Sequence, residues 1–221
     1  MRASPYAPAD LAEGVLTIRL PVAHQASIAS ELTESLHVTT PLHVNAINNL
    51  MDLLSFVQAD EAVNVIVLRN EGEQFGESLG AAADTDPELS HQLVQRLRDL
   101  PQPIVAMVPG HIHDQALALL QACDIVLATG QDDWATLSFP APELEEQTYK
   151  LAHELASKDP LILRFTKKTV QQVASIAWED ILSFTTAQQA EIKSLQAGHP
   201  SPRALAIESF LAGKSKPGAG A

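Results

Sequence analysis

The stretch PIVAMVPGHIHDQALALLQACDIVLA, residues 103–128, decides the fold. Two apolar runs, IVAMV and DIVLAT, flank a turn and a short helical segment. Each run is continuous rather than alternating, the mark of a strand buried on both faces. The turn between them carries His111, His113 and Asp114 where tight geometry ordinarily takes glycine. Either these side chains form a catalytic or metal site, or they stand in a site once lined by glycine.

Working outward, NVIVLRN (64–70) is a further β-branched run, and ELSHQLVQRLRDL before PQP predicts an amphipathic helix. The resulting order of strand, helix, strand, helix, strand implies parallel pairing with right-handed crossovers. GVLTIRL (14–20) alternates like a strand, while residues 21–40 are polar and fit neither pattern. After Pro41, Val44, Ile47, Leu50, Leu53 and Leu54 fall at helical spacing. WATLSF (134–139) predicts one more strand. Beyond Pro142 the pattern is helical: EEQTYKLAHELAS, PLILRFTKKTVQQVAS, WEDILSFTTAQQAEIKSLQ and PRALAIESFLAG. Trp178 is expected to pack at a helix start capped by Glu179 and Asp180, with Ile181, Phe184 and Gln188 forming an interface stripe.

A chain of 221 residues, 46% hydrophobic and 19% charged, suits one soluble globular domain able to bury a core without disulfides. No apolar run reaches the length of a membrane span. The N-terminus lacks the apolar core of a signal peptide, so a cytoplasmic location is expected. The single Cys123 excludes an internal disulfide, and its apolar setting predicts a buried, inert thiol. Net charge of −13 argues against nucleic-acid binding. The charge is uneven: residues 1–149 hold 5 Lys/Arg and 21 Asp/Glu (−16), residues 150–221 hold 9 and 6 (+3). No Walker loop, nucleophile elbow or dinucleotide fingerprint occurs.

The runs VNVIVLRNEGEQF, LPQPIVAMVPG, ALLQACDIVLA and KDPLILRFTKKTV together resemble the crotonase superfamily, which includes the enoyl-CoA hydratases and isomerases. Asn45-Ala46 fits that family's helix start, and the ending FLAGKSKPGAGA is similar to the tail of hydroxycinnamoyl-CoA hydratase-lyases. The resemblance implies an α/β fold, a crotonase-like spiral of ββα units with an α-helical C-terminal region. It divides the chain into a truncated core at 1–145, a helical region at 146–213 and a flexible tail at 214–221. It also implies a homo-oligomer, a trimer or hexamer, with no membrane or nucleic-acid partner.

Family chemistry aims two backbone N–H groups at a thioester carbonyl, because the enolate-like intermediate places charge on that oxygen. By resemblance these donors are Glu77, in Phe75-Gly76-Glu77-Ser78-Leu79-Gly80, and Gln115, since Asp114, Gln115 and Ala116 stand on the family's three glycines. A carboxylate beside the oxyanion opposes the charge to be stabilised, and side chains in place of glycines should partly fill the slot. The family's two catalytic glutamates align with Ala118 and Ala141, with Glu143 as a substitute if the register slips by two. The segment completing the family's acyl pocket is missing between Glu143 and YKLAHELASKDP. Lys167 and Lys168 are the expected contacts for CoA phosphates, and no resident cofactor is implied.

His111, His113 and Asp114 are the other polar groups of the turn. A His–Asp pair there suits general-base work. A metal would need a third ligand such as His91 or Asp133, and none is assigned. Two functions remain open. One is a diverged enzyme acting on CoA or carrier-protein thioesters by hydratase, isomerase or lyase chemistry. The other is a catalytically silent subunit that stabilises or regulates a protein partner.

Overall fold

The computed structural model describes residues 9–20, 42–70, 74–76, 86–130, 132–173, 175–197, 207–208 and 210–213. Strand β1 (Ala9–Ala12) turns back into β2 (Val15–Leu20) through Glu13 and Gly14, whose φ angles are +49° and +80°. Two consecutive positive φ values define the tight hairpin turn whose twist matches paired strands. The antiparallel pair it makes was not expected from the sequence, where only residues 14–20 alternate.

Helix α1 (Leu42–Ala59) leads to β3 (Val65–Asn70), the two-residue β4 (Gln74–Phe75), helix α2 (Pro87–Asp99) and β5 (Ile104–Val108). There follow β6 (His111–Ile112), a 3-10 turn (Asp114–Ala116), α3 (Leu117–Gln121), β7 (Ile125–Ala128) and β8 (Leu137–Ser138). The main sheet runs β1-β2-β3-β5-β7-β8, parallel throughout apart from β1, as the alternation of strands and helices predicted. WATLSF contributes only its two residues Leu137 and Ser138 as strand.

Alternate residues of the central strands enter two different cores, as side chains of period two must. Leu16, Ile18, Ile66, Leu68, Ile104, Ala106 and Val126 face Ile47, Leu50 and Leu54 of α1, Leu93 and Leu97 of α2, and Leu119 and Leu120 of α3. Val15, Val65, Val67, Val105, Met107 and Leu127 face Leu144 and Ala152 of α4 (Ala141–Ala156). Helix α2 starts where the Asp86 carboxylate accepts the Leu89 N–H at 3.0 Å with Pro87 in the first turn. It stops before Pro101, and the fully buried Gln102 returns an amide N–H to the carbonyl of Val57 at 2.9 Å.

Polar contacts also tie α4 to the sheet. Glu145 pairs with Arg69 of β3, Tyr149 shares a 3.2 Å hydrogen bond with Thr17 of β2, and the Asn64 amide donates to the Ala156 carbonyl. Burial alone would lower the pKa of Arg69; the Tyr149 hydrogen bond and the Glu145 pair outweigh it and hold the guanidinium above its ordinary range.

The chain separates into two compact units between Lys158 and Asp159. A boundary at 145/146 would cut α4, whereas its packing assigns the whole helix to the first unit. The second unit holds α5 (Pro160–Val173), a 3-10 turn (Trp178–Asp180) and α6 (Ile181–Leu195). Thr169 of α5 bonds Gln188 of α6 at 2.5 Å. Trp178, expected to pack, is 84% exposed, and Val170, Leu182 and Leu211 are exposed as well. Residues 214–221 lie outside the described residues. Among the described residues no helix is long and apolar enough to cross a membrane.

Asp124 locks the central sheet to the α3–β7 turn. Its carboxylate accepts the Ile104 N–H at 2.8 Å while its own N–H donates to the Ile104 carbonyl at 2.9 Å. Asp124→Ala strands a backbone N–H at a fully buried residue, so urea denaturation should show a loss of about 1–3 kcal/mol. An unchanged midpoint would mean that the clamp is redundant.

Candidate functional site

Two short segments beyond the ends of β3 and β5 come together. Strands β4 and β6 pair in parallel, Gln74 with His111 and Phe75 with Ile112. The His113 N–H extends the pairing by donating to the Phe75 carbonyl at 3.1 Å. Asn70, at the end of β3, holds β4 in place by donating its amide to the Gln74 carbonyl at 2.9 Å. Phe75 is fully buried.

Gly76 follows at φ +76°, and a Cβ placed on it would lie 2.3 Å from the Cβ of Ala116. Ala116 itself is 1% exposed. Glycine is therefore required at 76 for two reasons, the left-handed backbone and the methyl group opposite. The sequence suggested that side chains replacing the turn glycines would crowd the site. The structure shows where one of them does so, at Ala116 against Gly76.

The Ala116 N–H donates to the His113 carbonyl at 2.7 Å, the first bond of the 3-10 turn. The N–H groups of Asp114 and Gln115 precede that bond and so have no partner inside the helix, the usual condition of a helix start. That is the backbone state an oxyanion donor at Gln115 requires. Glu77 lies outside the described residues.

The remaining polar groups are placed less favourably. His111 and Asp114 are exposed, and His113 is half-buried with its Nδ1 enclosed and unpartnered among the described residues. Among those residues no side-chain hydrogen bond or ion pair joins His111, His113 and Asp114, so the turn holds no formed His–Asp pair. Among the described residues no three of His, Cys, Asp and Glu gather to hold a metal ion. Ala118, on α3, is exposed, as is Ala141 at the start of α4. Glu143 is exposed in the first turn of α4, where its backbone N–H donates to the Pro140 carbonyl at 2.9 Å.

Only Phe139 and Pro140 separate β8 from helix α4. Cys123 is half-buried rather than enclosed, with Sγ 3.4 Å from the Leu119 carbonyl. Lys167 and Lys168 belong to the second unit. Lys167 is 6% exposed, and the Lys168 ammonium lies 5.8 Å from the centre of the Phe165 ring. The Gly76–Ala116 contact was missed from sequence, although a glycine directly after a buried-type aromatic was its visible signal.

No protein-family profile matches the chain. The crystal structure of an enoyl-CoA hydratase from Bacillus anthracis superposes with a TM-score of 0.72 at 15% identity, covering 95% of this chain and 97% of that one. The chain has the crotonase fold. Human enoyl coenzyme A hydratase domain-containing protein 3 superposes on it at TM-score 0.70 and 15% identity, over 95% of this chain and 98% of that one. In sequence, a hydroxycinnamoyl-CoA hydratase-lyase of Pseudomonas fluorescens is 22% identical across 76% of this chain and 83% of its own length. The two residues that the sequence assigned as oxyanion donors, Glu77 and Gln115, follow β4 and β6 along the chain.

Gly76→Ala should destabilise the protein by about 2–4 kcal/mol, combining positive φ with overpacking. Adding Ala116→Gly removes the methyl clash but not the backbone strain, so the double variant should recover roughly half of that loss in thermal unfolding. A double variant no better than Gly76→Ala would contradict the contact.

Proposed function

We propose that the protein binds an acyl thioester, on CoA or on a carrier protein, with the thioester carbonyl directed at the N–H groups of Gln115 and Glu77. The observation that carries this reading is the β4–β6 pairing, which brings the two loop segments together while leaving the Gln115 N–H outside the helix's own bonding. The crotonase fold and the CoA-named relatives support the same substrate class.

Two backbone donors stabilise charge on the thioester oxygen without needing a protein carboxylate. Decarboxylation of a malonyl-type thioester, or cleavage of a carbon–carbon bond beside the carbonyl, passes through such an enolate. Hydration in addition needs a base to activate water, and alanine stands at 118 and 141 where the family's glutamates do this work. The chemistry proposed is therefore lyase-type enolate formation rather than two-glutamate hydration. His113, two residues before Gln115 and half-buried, is a side chain able to transfer a proton, and Asp114 and Glu143 are exposed.

A second reading has its own observation. The Ala116 methyl packed on Gly76, with alanines at 118 and 141, is the expected pattern for a silent subunit that keeps the fold and lends its surface to a partner. The exposed Val170, Trp178, Leu182 and Leu211 of the second unit, and the opposite net charges of the two parts of the chain, favour a homo-oligomer under either reading.

Calorimetric titration with CoA, a short enoyl-CoA and an acyl-carrier protein separates the two. Saturable binding of one thioester, weakened at least tenfold by Gln115→Trp in a protein that stays folded by circular dichroism, is the expected outcome. No heat with any of the three ligands would overturn the proposal in favour of the silent subunit.

A further inference from the structure

A concavity lies between α3 and the β7–β8 connection. It has a volume of about 440 Å³ and is lined by Leu117, Leu120 and Gln121 of α3 and by Asp133 and Trp134 of the β7–β8 connection. That volume lies within the range of small-molecule sites. Leu120 is 2% exposed, and Leu117 and Trp134 are half-buried, so two aliphatic side chains and an indole form its walls. Gln121 and Asp133 are exposed and provide the polar rim.

The loop that carries the rim is held in shape. The Ala135 N–H donates to the Asp132 carbonyl at 3.0 Å, which makes Asp133 and Trp134 the two central residues of a hydrogen-bonded turn. Thr136 then pins the chain to β7 twice, its N–H donating to the Val126 carbonyl at 2.8 Å and its Oγ1 accepting the Val126 N–H at 2.9 Å. Trp134 is further fixed by packing on the sheet core. The Asp133 carboxylate makes no hydrogen bond or ion pair among the described residues, and no cationic side chain lines the pocket.

We infer that this pocket binds a small organic cation, an alkyl- or arylammonium. An aromatic face attracts a cation through its quadrupole, and a free carboxylate at the rim adds charge attraction. The apolar portion of such a ligand lies against Leu117 and Leu120 while its ammonium meets Asp133 and the Trp134 ring. An anion at this pocket is disfavoured by the Asp133 carboxylate at its rim. The inference stands independently of the proposed thioester site. The two sites share only the short helix, with Leu117 following Ala116 directly.

The chain has two tryptophans, and Trp178 is 84% exposed, so Trp178→Phe leaves Trp134 as the sole indole reporter. This variant is titrated with benzyltrimethylammonium at fixed ionic strength, beside benzyl alcohol and phenylacetate as neutral and anionic controls. A saturable change in Trp134 emission with the cation, at least tenfold weaker for both controls, is expected. Asp133→Asn should weaken the cation at least tenfold, while Asp10→Asn, a surface carboxylate elsewhere, should leave it unchanged. Equal binding of benzyl alcohol and the cation, insensitivity to Asp133→Asn, or no saturable change in folded protein would each overturn the inference.

Discussion

Strands β2, β3, β5 and β7 are buried on both faces, and their backbone groups therefore have no water to fall back on. Their N–H and C=O groups must be satisfied within the protein, by a neighbouring strand or by a side chain such as Asp124 or Thr136. Parallel pairing in one register does this, and it places the ends of β3 and β5 side by side. From those ends the chain leaves into β4 and β6, whose brief parallel pairing continues the logic of the main sheet on a smaller scale. The site segments are close together because the sheet beneath them admits only one arrangement. Asp124 reinforces it by joining the α3–β7 turn to the start of β5.

On that rigid base the site has been altered locally. A side chain at 116 is tolerated because residue 76 has none, so the pair Gly76 and Ala116 keeps the two segments in contact with one methyl group between them. Ala118 and Ala141 are both exposed and belong to neither core, so their small side chains place no demand on the packing. Backbone chemistry survives these changes more readily than side-chain chemistry, because an N–H group is present whatever residue occupies the position. That difference is why a thioester-directed function is the one proposed for this geometry.

Much of the fold was legible in the sequence. Continuous β-branched runs such as VIVL and IVAMV have few alternatives to doubly buried strands, and the amphipathic spacing of α2 with Asp86-Pro87 before it marks a helix start. The β1–β2 hairpin was not legible in full, since Ala9–Ala12 has no alternation and its pairing depends on the Glu13-Gly14 turn. Trp178 was misread because a large aromatic at a helix start ordinarily packs, and local spacing does not reveal whether a surface exists for it to pack on. The burial of Lys167 had no signal in the sequence, since it depends on neighbours distant along the chain. Around the site, the strand, turn, short helix and strand over residues 103–128 were readable, whereas the Gly76–Ala116 contact and the Trp134 pocket arise from tertiary placement alone.

The most direct test of thioester binding through backbone donors is vibrational. Difference infrared spectroscopy of the protein with a thioester labelled with carbon-13 at the carbonyl reports how strongly that oxygen is polarised. The account predicts that the bound carbonyl band moves to lower frequency than in water, as hydrogen bonds from Gln115 and Glu77 draw charge onto the oxygen. A bound thioester whose carbonyl band stays at its solution frequency, or moves higher as in an apolar environment, would contradict it.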